Sequence, residues 1–245
     1  MKIIAGLSVV VLVLSALTIA IKTFVLWRRT RQAPELLLSM MLFFVTVIGY
    51  PLAVGCALIP PSRALALHIA YPLTINGGFV FLLLFTQRVF RPNVLWATCL
   101  VALTMLILAS SAGMYIHEVT GAHPRPLPEM VGLTLLNSSG IAVAYFWTTA
   151  EALACYRRLR LQLRLGLTEP VVANRVLLWG LMTLAAGLAV VLNVVVALEG
   201  AYMSPPVVAI SSGLGLLYAG FLFLAFHPPT WYRGWVERRY APEAA

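Results

Sequence analysis

Seven long apolar segments follow one another along the chain, and polar or proline-containing stretches such as 60–63 and 124–128 separate them. Each segment is long enough to cross the hydrocarbon core of a bilayer as an α-helix, which requires about 20 mostly apolar residues. None of them alternates between polar and apolar positions, as the strands of a membrane barrel do. The pattern therefore predicts an all-α integral membrane protein with seven transmembrane helices, at residues 4–27, 36–58, 66–87, 94–116, 130–155, 176–198 and 207–226.

The composition agrees with this interpretation and excludes an ordinary soluble domain. Of the 245 residues, 61% are hydrophobic and 10% are charged, whereas soluble globular proteins contain about 25% charged residues. Residues 1–226 form the predicted transmembrane domain, and residues 227–245 form an aromatic and basic tail. The first apolar segment is longer than the core of a signal peptide and arginines follow it directly, so it is interpreted as a retained helix.

The distribution of lysine and arginine predicts the orientation. With the N-terminus outside, 14 of the 17 basic residues fall in cytoplasmic loops or the tail, and Lys2, Arg63 and Arg125 fall outside. Basic residues accumulate on the cytoplasmic side of membrane proteins. The pattern therefore predicts a protein of the bacterial inner membrane with its N-terminus outside and its C-terminus in the cytoplasm. Anionic lipid explains the net charge of +9, and a nucleic-acid partner is not expected.

Short sequence similarities relate the first half of the chain to the second half. The sequence WRRTR at 27–31 follows the first predicted helix, and YRRLR at 156–160 follows the fifth. The third helix contains GFVFL at 78–82, and the seventh contains GFLFL at 220–224. Their order suggests two parallel three-helix units joined by the fourth helix, a three-plus-one-plus-three plan. Chance similarity in a chain rich in leucine, phenylalanine and arginine is the alternative.

Polar residues recur at a shared depth in the outer halves of four predicted helices. Polar groups in hydrocarbon are costly and face the interior of a helix bundle. One interpretation is an outward-facing pocket that binds a small ligand, and the other is helix packing through small polar residues. Pro51 and Pro72, each preceded by tyrosine, are expected to kink the second and third helices. The candidate ligand-binding residues are Tyr71, Asn76, Asn137, Ser138, Asn193, Ser211 and Ser212.

Candidate chemistry is sparse elsewhere. Glu151 is the one acidic residue within a predicted span, where it either couples protons or pairs with a loop arginine. All eight acidic residues are glutamate, so catalytic sites that need aspartate are excluded. His117 and His123, with nearby glutamates, could supply metal ligands, but a solvated loop is the preferred interpretation. No enzymatic activity, metal or other cofactor is therefore expected.

The fifth loop and the tail carry the cytoplasmic charge. Arg157, Arg160 and Arg164 recur at helical spacing, so they share one face of a helix that extends beyond the membrane and stops near Gly166. Pro170 should then occupy the first turn of the next helix. The arginines either relay a signal to a cytoplasmic partner or only enforce topology. Tryptophans in the tail, at 231 and 235, suit an interfacial anchor, with partner docking as the alternative.

Several known families lack support in this chain. The seventh helix has no lysine for retinal, and the chain has neither the aspartate of haemolysin III-related hydrolases nor the Pro-Gln pair of PQ-loop and SWEET transporters. Residues 88–92 (RVFRP), 166–175 (GLTEPVVANR) leading to Trp179, and 226–232 (FHPPTWY) resemble the seven-helix sensor modules of bacterial membrane proteins. Such modules form the input regions of some histidine kinases and diguanylate cyclases.

This resemblance covers most of the third to seventh helices and implies a ligand-sensing function. Here the module would stand alone, because about 19 residues follow the last predicted helix, so a cytoplasmic signalling protein is the expected partner. The sequence therefore predicts a membrane sensor or signal relay. A small-solute transporter with the three-plus-one-plus-three plan is the alternative.

Overall fold

The described structure, a computed structural model, covers residues 2–121, 130–199 and 205–240 and consists of helices joined by short turns. The second apolar segment comprises three consecutive pieces, because a π-helix separates two α-helices. The elements are α1 (Lys2–Thr30), α2 (Ala33–Met41), the π-helix (Leu42–Gly49), α3 (Tyr50–Leu58), α4 (Leu65–Phe90), α5 (Leu95–Thr120), α6 (Val131–Arg164), α7 (Pro170–Glu199), α8 (Pro205–Phe226) and α9 (Thr230–Tyr240).

Six stretches of the described helices are long and apolar enough to cross a membrane. They are Val9–Thr30, Ala33–Leu58, Leu65–Phe90, Leu95–Thr120, Pro170–Glu199 and Pro206–Phe226. An all-α membrane protein is therefore confirmed, whereas the seventh span and the internal repeat stay predictions. The fifth predicted span corresponds to α6, in which polar residues such as Asn137, Thr148 and Glu151 dilute the apolar run.

The helices form a closed bundle around α4 and α6. Helix α1 packs against α2 and α8, α8 packs against α7, and α7 packs against α6. Helix α4 contacts α2, the π-helix, α5 and α6, and so links the two sides of the bundle. We call the end that holds the first turns of α4 the outer half and the opposite, arginine-rich end the inner half, in accordance with the predicted orientation.

The π-helix lies directly before the proline of the second segment. Pro51 has no N–H group, and its ring excludes a carbonyl one turn earlier. Before it, the Tyr50 N–H bonds to the carbonyl of Val45, five residues back, as in a π-helix. The kink predicted at Pro51 therefore takes the form of a widened helical turn, whereas Pro72 lies within an α4 that continues as one helix on both sides.

A glycine at position 78 allows α4 to pack closely against the π-helix. A Cβ atom at Gly78 would lie 2.5 Å from Val45 Cγ2 and 2.9 Å from the Val45 nitrogen. At the neighbouring Gly77, a Cβ atom would meet no atom within 4 Å. The close approach of these two elements therefore depends on the missing side chain of Gly78.

Helix α6 extends beyond the bundle, as its arginine and leucine spacing predicts. It ends at Arg164, and Gly166 follows with a φ of +67°, a backbone conformation that glycine adopts at low cost. The N–H of Leu167 bonds to the carbonyl of Gln162 and closes the helix end. Helix α7 then begins at Pro170. The predicted end of the helix near Gly166 and the position of Pro170 are both confirmed.

The described part of the tail is the short helix α9. It packs against α7, where Asn174 donates a hydrogen bond to the Tyr232 hydroxyl at 2.9 Å. The hydroxyls of Tyr156 and Tyr240 lie 3.1 Å apart and connect α9 to α6. Val236 is buried, whereas Trp231 and Trp235 are exposed on the surface, where tryptophan rings suit the lipid headgroup region.

Candidate functional site

A cavity of about 460 Å³ lies in the outer half of the bundle. Its volume falls within the range of small-molecule sites, about 300–1,000 Å³. Helices α1 and α3–α8 and the π-helix all contribute lining residues. Most of the wall is apolar, and tyrosine, asparagine, serine and threonine side chains interrupt it.

The structure brings together most of the residues that the sequence nominates for ligand binding. Six line this one cavity, namely Tyr71, Asn76, Asn137, Ser138, Asn193 and Ser211. Ser212 is the exception, because it does not line the cavity although Ser211 does. Successive residues of an α-helix point about 100° apart, so one of two adjacent serines can line the cavity without the other. The structure therefore does not place Ser212 with the other six candidates.

Part of the polar lining joins helices to one another. Asn76 donates a hydrogen bond to the Leu108 carbonyl at 2.9 Å, which ties α4 to α5. The Ser111 hydroxyl donates to Asn137 Oδ1 at 2.9 Å, which ties α5 to α6. For Asn76 and Asn137, packing and lining of a pocket are therefore compatible.

Other lining groups have no protein partner. Six lining side chains, which lie between the centre of the bundle and its outer end, form no hydrogen bond within the described residues. They are Tyr50, Tyr71, Ser138, Tyr145, Asn193 and Ser211. Their hydroxyl and amide groups can therefore donate to, or accept from, a ligand or water in the cavity.

The wall also holds buried polar atoms without a partner in the described structure. They are Asn76 Oδ1 and Thr134 Oγ1. A buried polar atom without a hydrogen bond costs roughly 1–3 kcal/mol. A small shift of the wall that exposed these atoms to a ligand would recover part of that cost.

Tyrosines are the main feature that sequence reasoning missed. Besides Tyr71, the cavity is lined by Tyr50, Tyr115, Tyr145 and Tyr218. All of them lie on predicted membrane spans, Tyr50 and Tyr115 in the outer half and Tyr145 and Tyr218 near the middle. A search that treated every tyrosine of the spans in the same way as Tyr71 could have found them.

A buried histidine fixes one of these tyrosines. His68 Nε2 lies 2.7 Å from the carbonyl of Ile59, so this nitrogen carries the proton and donates it. His68 Nδ1 then accepts a hydrogen bond from the Tyr115 hydroxyl, also at 2.7 Å. His68 is 1% exposed and anchors the start of α4 to the wall of the cavity.

Glu151 lies in the inner half, away from the cavity, and is paired. The Nε atom of Arg91, in the turn between α4 and α5, donates to Glu151 Oε1 at 2.8 Å, and the Trp147 indole lies 3.3 Å from the same oxygen. The carboxylate raises the pKa of the Arg91 guanidinium above its usual value through this hydrogen bond. Trp96 packs against both Arg91 and Trp147. The carboxylate therefore pairs with a loop arginine, one of its two predicted roles.

The remaining candidate residues lie apart from the cavity. Arg157, Arg160 and Arg164 are exposed on the extension of α6 and form no ion pair within the described residues. His117 is exposed near the end of α5, and His123 lies outside the described residues. In the described part of the chain, no three His, Cys or acidic residues are close enough to hold a metal ion.

The chain was also compared with known proteins. No protein-family model, no curated protein and no solved structure matches it. The site must therefore be interpreted from its own geometry.

Proposed function

We propose that this protein is a seven-helix sensor or signal relay of a bacterial inner membrane, with its N-terminus outside and its C-terminus in the cytoplasm. It binds a small ligand in the outer cavity and transmits binding to a cytoplasmic signalling partner. The observation that carries the proposal is the cavity itself, since every long helix of the bundle contributes to its wall. A ligand there would contact all of the elements whose packing a signal has to change.

Helix α6 provides a route from the cavity to the cytoplasmic side. Its outer half carries Asn137, Ser138 and Tyr145 on the cavity wall, and its inner end carries the exposed arginines. A ligand shifts a conformational equilibrium only through different affinities for two states. The proposal therefore requires two packings of α6, one of which the ligand prefers, and Arg157, Arg160 and Arg164 would present that difference to a partner.

A transporter is the second candidate, and the inner half distinguishes it from a sensor. Beneath the cavity the bundle is filled by buried side chains, among them Leu82, Leu83 and Leu222. A sensor can keep this closed layer permanently, whereas a transporter has to open it. The cavity on the outer side would then be the outward-facing state of a transporter with the predicted three-plus-one-plus-three plan.

The experiment uses a cavity-filling variant as a substitute for the unidentified ligand. Gly215 lines the cavity and a Cβ there meets nothing within 4 Å, so the side chain of Gly215→Leu starts in open space and adds volume to the wall. Spin labels at the exposed residues Gln32 and Leu161 report the distance between the α1–α2 connection and the extension of α6. The proposal expects Gly215→Leu to change the distance distribution.

Gly213→Leu is the matched control, because Gly213 lies on the same helix, is exposed, has equal space for a Cβ and does not line the cavity. Its distance distribution should equal that of the unmodified protein. If both variants leave the distances unchanged, the outer cavity is not coupled to the cytoplasmic side and the sensor proposal fails. The transporter would be favoured if the closed layer opened. A cysteine introduced by Thr149→Cys, in the inner half, would then react with a thiol reagent added from outside.

A further inference from the structure

We infer that the ligand of the outer cavity is an uncharged, lipid-soluble molecule with a mainly apolar body and a hydroxyl or carbonyl group, and that it enters from the outer leaflet along α3. This inference rests on the proposed function and specifies the ligand class of the same site. Its two parts have separate support, one in the chemistry of the wall and one in the position of the opening.

The wall contains no charged side chain among the described residues that line it. Burying an ion without a counter-charge costs several kcal/mol or more, so a charged ligand would be excluded from this space. The apolar lining matches an apolar body. The unpartnered groups of Tyr145, Ser138 and Asn193 are hydroxyls and an amide, which pair well with a neutral hydroxyl or carbonyl.

A cation held by aromatic rings is the main chemical competitor, because five tyrosines line the cavity. Several of these rings, however, are already engaged by aromatic neighbours within the wall. Tyr71 meets Tyr115 edge-on at 6.0 Å, and Tyr145 meets Phe79 edge-on at 5.1 Å. With no acidic side chain in the described wall to assist them, these rings favour a neutral ligand over a cation.

The opening of the cavity lies along α3. Tyr50 is 40% exposed although it lines the cavity, and Ala57, one to two turns further out, is also exposed. Helix α3 packs mainly against α4 and the π-helix, whereas α8 packs mainly against α7 and α1. Residues of both α3 and α8 line the cavity, and we take the space between these two helices as the route to its interior.

At Tyr50, the depth of the opening places it beside lipid. Tyr50 lies eight positions before the end of the span Ala33–Leu58, or about 12 Å at 1.5 Å per residue. At that distance from the end of the span, the surrounding medium is the hydrocarbon of the outer leaflet. A molecule that reaches the cavity beside Tyr50 must therefore dissolve in lipid first.

The test uses three photoreactive probes with the same alkyl chain and diazirine but different head groups. They are dodecanol, dodecanoate and dodecyltrimethylammonium, each added to the full-length protein in lipid vesicles. The labelled residues are located by mass spectrometry. The inference expects the alcohol to label the α3 and α7 segments around Tyr50 and Asn193, and an excess of unlabelled alcohol to suppress this labelling. Gly215→Leu should lower it severalfold, and Gly213→Leu should not.

Each other outcome contradicts a stated part of the inference. Equal or stronger saturable labelling of the cavity by the carboxylate or the ammonium probe would overturn the uncharged class. If none of the three probes labels the cavity saturably, the lipid-soluble class is wrong. The proposed function would survive that result if Gly215→Leu still changes the spin-label distances, because a water-soluble ligand would then be required. If no probe labels the cavity and Gly215→Leu also leaves the spin-label distances unchanged, the proposed function is rejected as well.

Discussion

The outer and inner halves of the bundle contain similar polar residues in opposite situations. In the outer half, Tyr50, Ser138 and Asn193 surround a cavity and have no hydrogen-bond partner among the described residues. In the inner half, hydroxyl groups pair with each other across helices, and Glu151 pairs with Arg91. Polar residues in a membrane span therefore indicate a binding space more strongly where their hydrogen-bond partners are missing.

The inner pairs fix the position of α6 between its neighbours. The hydroxyls of Thr86 and Thr148 lie 2.7 Å apart and connect α4 to α6. The hydroxyls of Thr149 and Thr183 lie 2.9 Å apart and connect α6 to α7. On the proposed function, a change at the cavity would reach the inner end of α6 as a small rotation or tilt about these contacts, rather than as a separation of the helices.

The largest expected effect concerns the contact between α4 and the π-helix. Gly78→Ala places a Cβ atom 2.5 Å from Val45 Cγ2 and 2.9 Å from a backbone nitrogen, and overpacking of this kind costs about 3 kcal/mol. Thermal unfolding in detergent should show a clear loss of stability. Gly77→Ala is the control, since its Cβ meets nothing within 4 Å, and it should be neutral or slightly stabilising. Equal effects of both variants would mean that the approach at Gly78 is not tight.

The π-helix shows where prediction from sequence ends. Residues 42–49 form an ordinary apolar run, and hydropathy correctly places it in a membrane span. Whether this run forms a π-helix instead of an α-helix depends on Pro51 and on the packing of Val45 against Gly78. Val45 and Gly78 lie more than 30 positions apart in the sequence. By contrast, the inner end of α6 was predictable, because leucine and arginine spacing and Gly166 are local signals.

The candidate site was partly predictable for the same reason. Depth along a span is a local property, and a shared depth brought Asn76, Asn137 and Asn193 to one cavity. Rotation about the helix axis is not local, so Ser211 and Ser212 could not be separated. The pairing of Glu151 with Arg91 across 60 positions likewise left two roles open until the packing of α6 was known.

The second prediction tests the inner ion pair. Arg91→Gln leaves the carboxylate of Glu151, which is 5% exposed, without its charged partner. Although Arg91 itself is 40% exposed, a buried carboxylate that loses its counter-charge is more harmful than the loss of both charges. The melting temperature in detergent should fall by several degrees, and the double variant with Glu151→Gln should recover part of that loss. Arg88→Gln, at an exposed arginine without a described ion pair, is the control and should have no effect.

The third prediction compares one hydroxyl from each half directly. Thr149→Val removes the hydroxyl that bonds to Thr183 and should cost about 1 kcal/mol or less, as for other hydrogen bonds between membrane helices. Ser211→Ala removes a hydroxyl that has no partner among the described residues, so its unfolding free energy should stay unchanged. If Ser211→Ala destabilises the protein as much as Thr149→Val does, the outer residues pack helices and the contrast between the halves is wrong.

The smallest expected effect depends on pH and lies at the inner end of α8. Lys22 of α1 donates a hydrogen bond to His227. Burial, and secondarily the charge of Lys22, lower the pKa of His227 in the folded protein below its usual value of about 6.5. A neutral histidine of this kind contributes stability above about pH 6.5, and the contribution is lost as the pH falls through the lower folded-state pKa. His227→Gln keeps an acceptor for Lys22 but cannot titrate, so its melting temperature should fall less than that of the unmodified protein between about pH 7 and about pH 5. His117→Gln, at an exposed histidine in the outer half, should retain the full pH dependence. A pH dependence that follows His117 instead of His227 would place the acid-sensitive contact in the outer half.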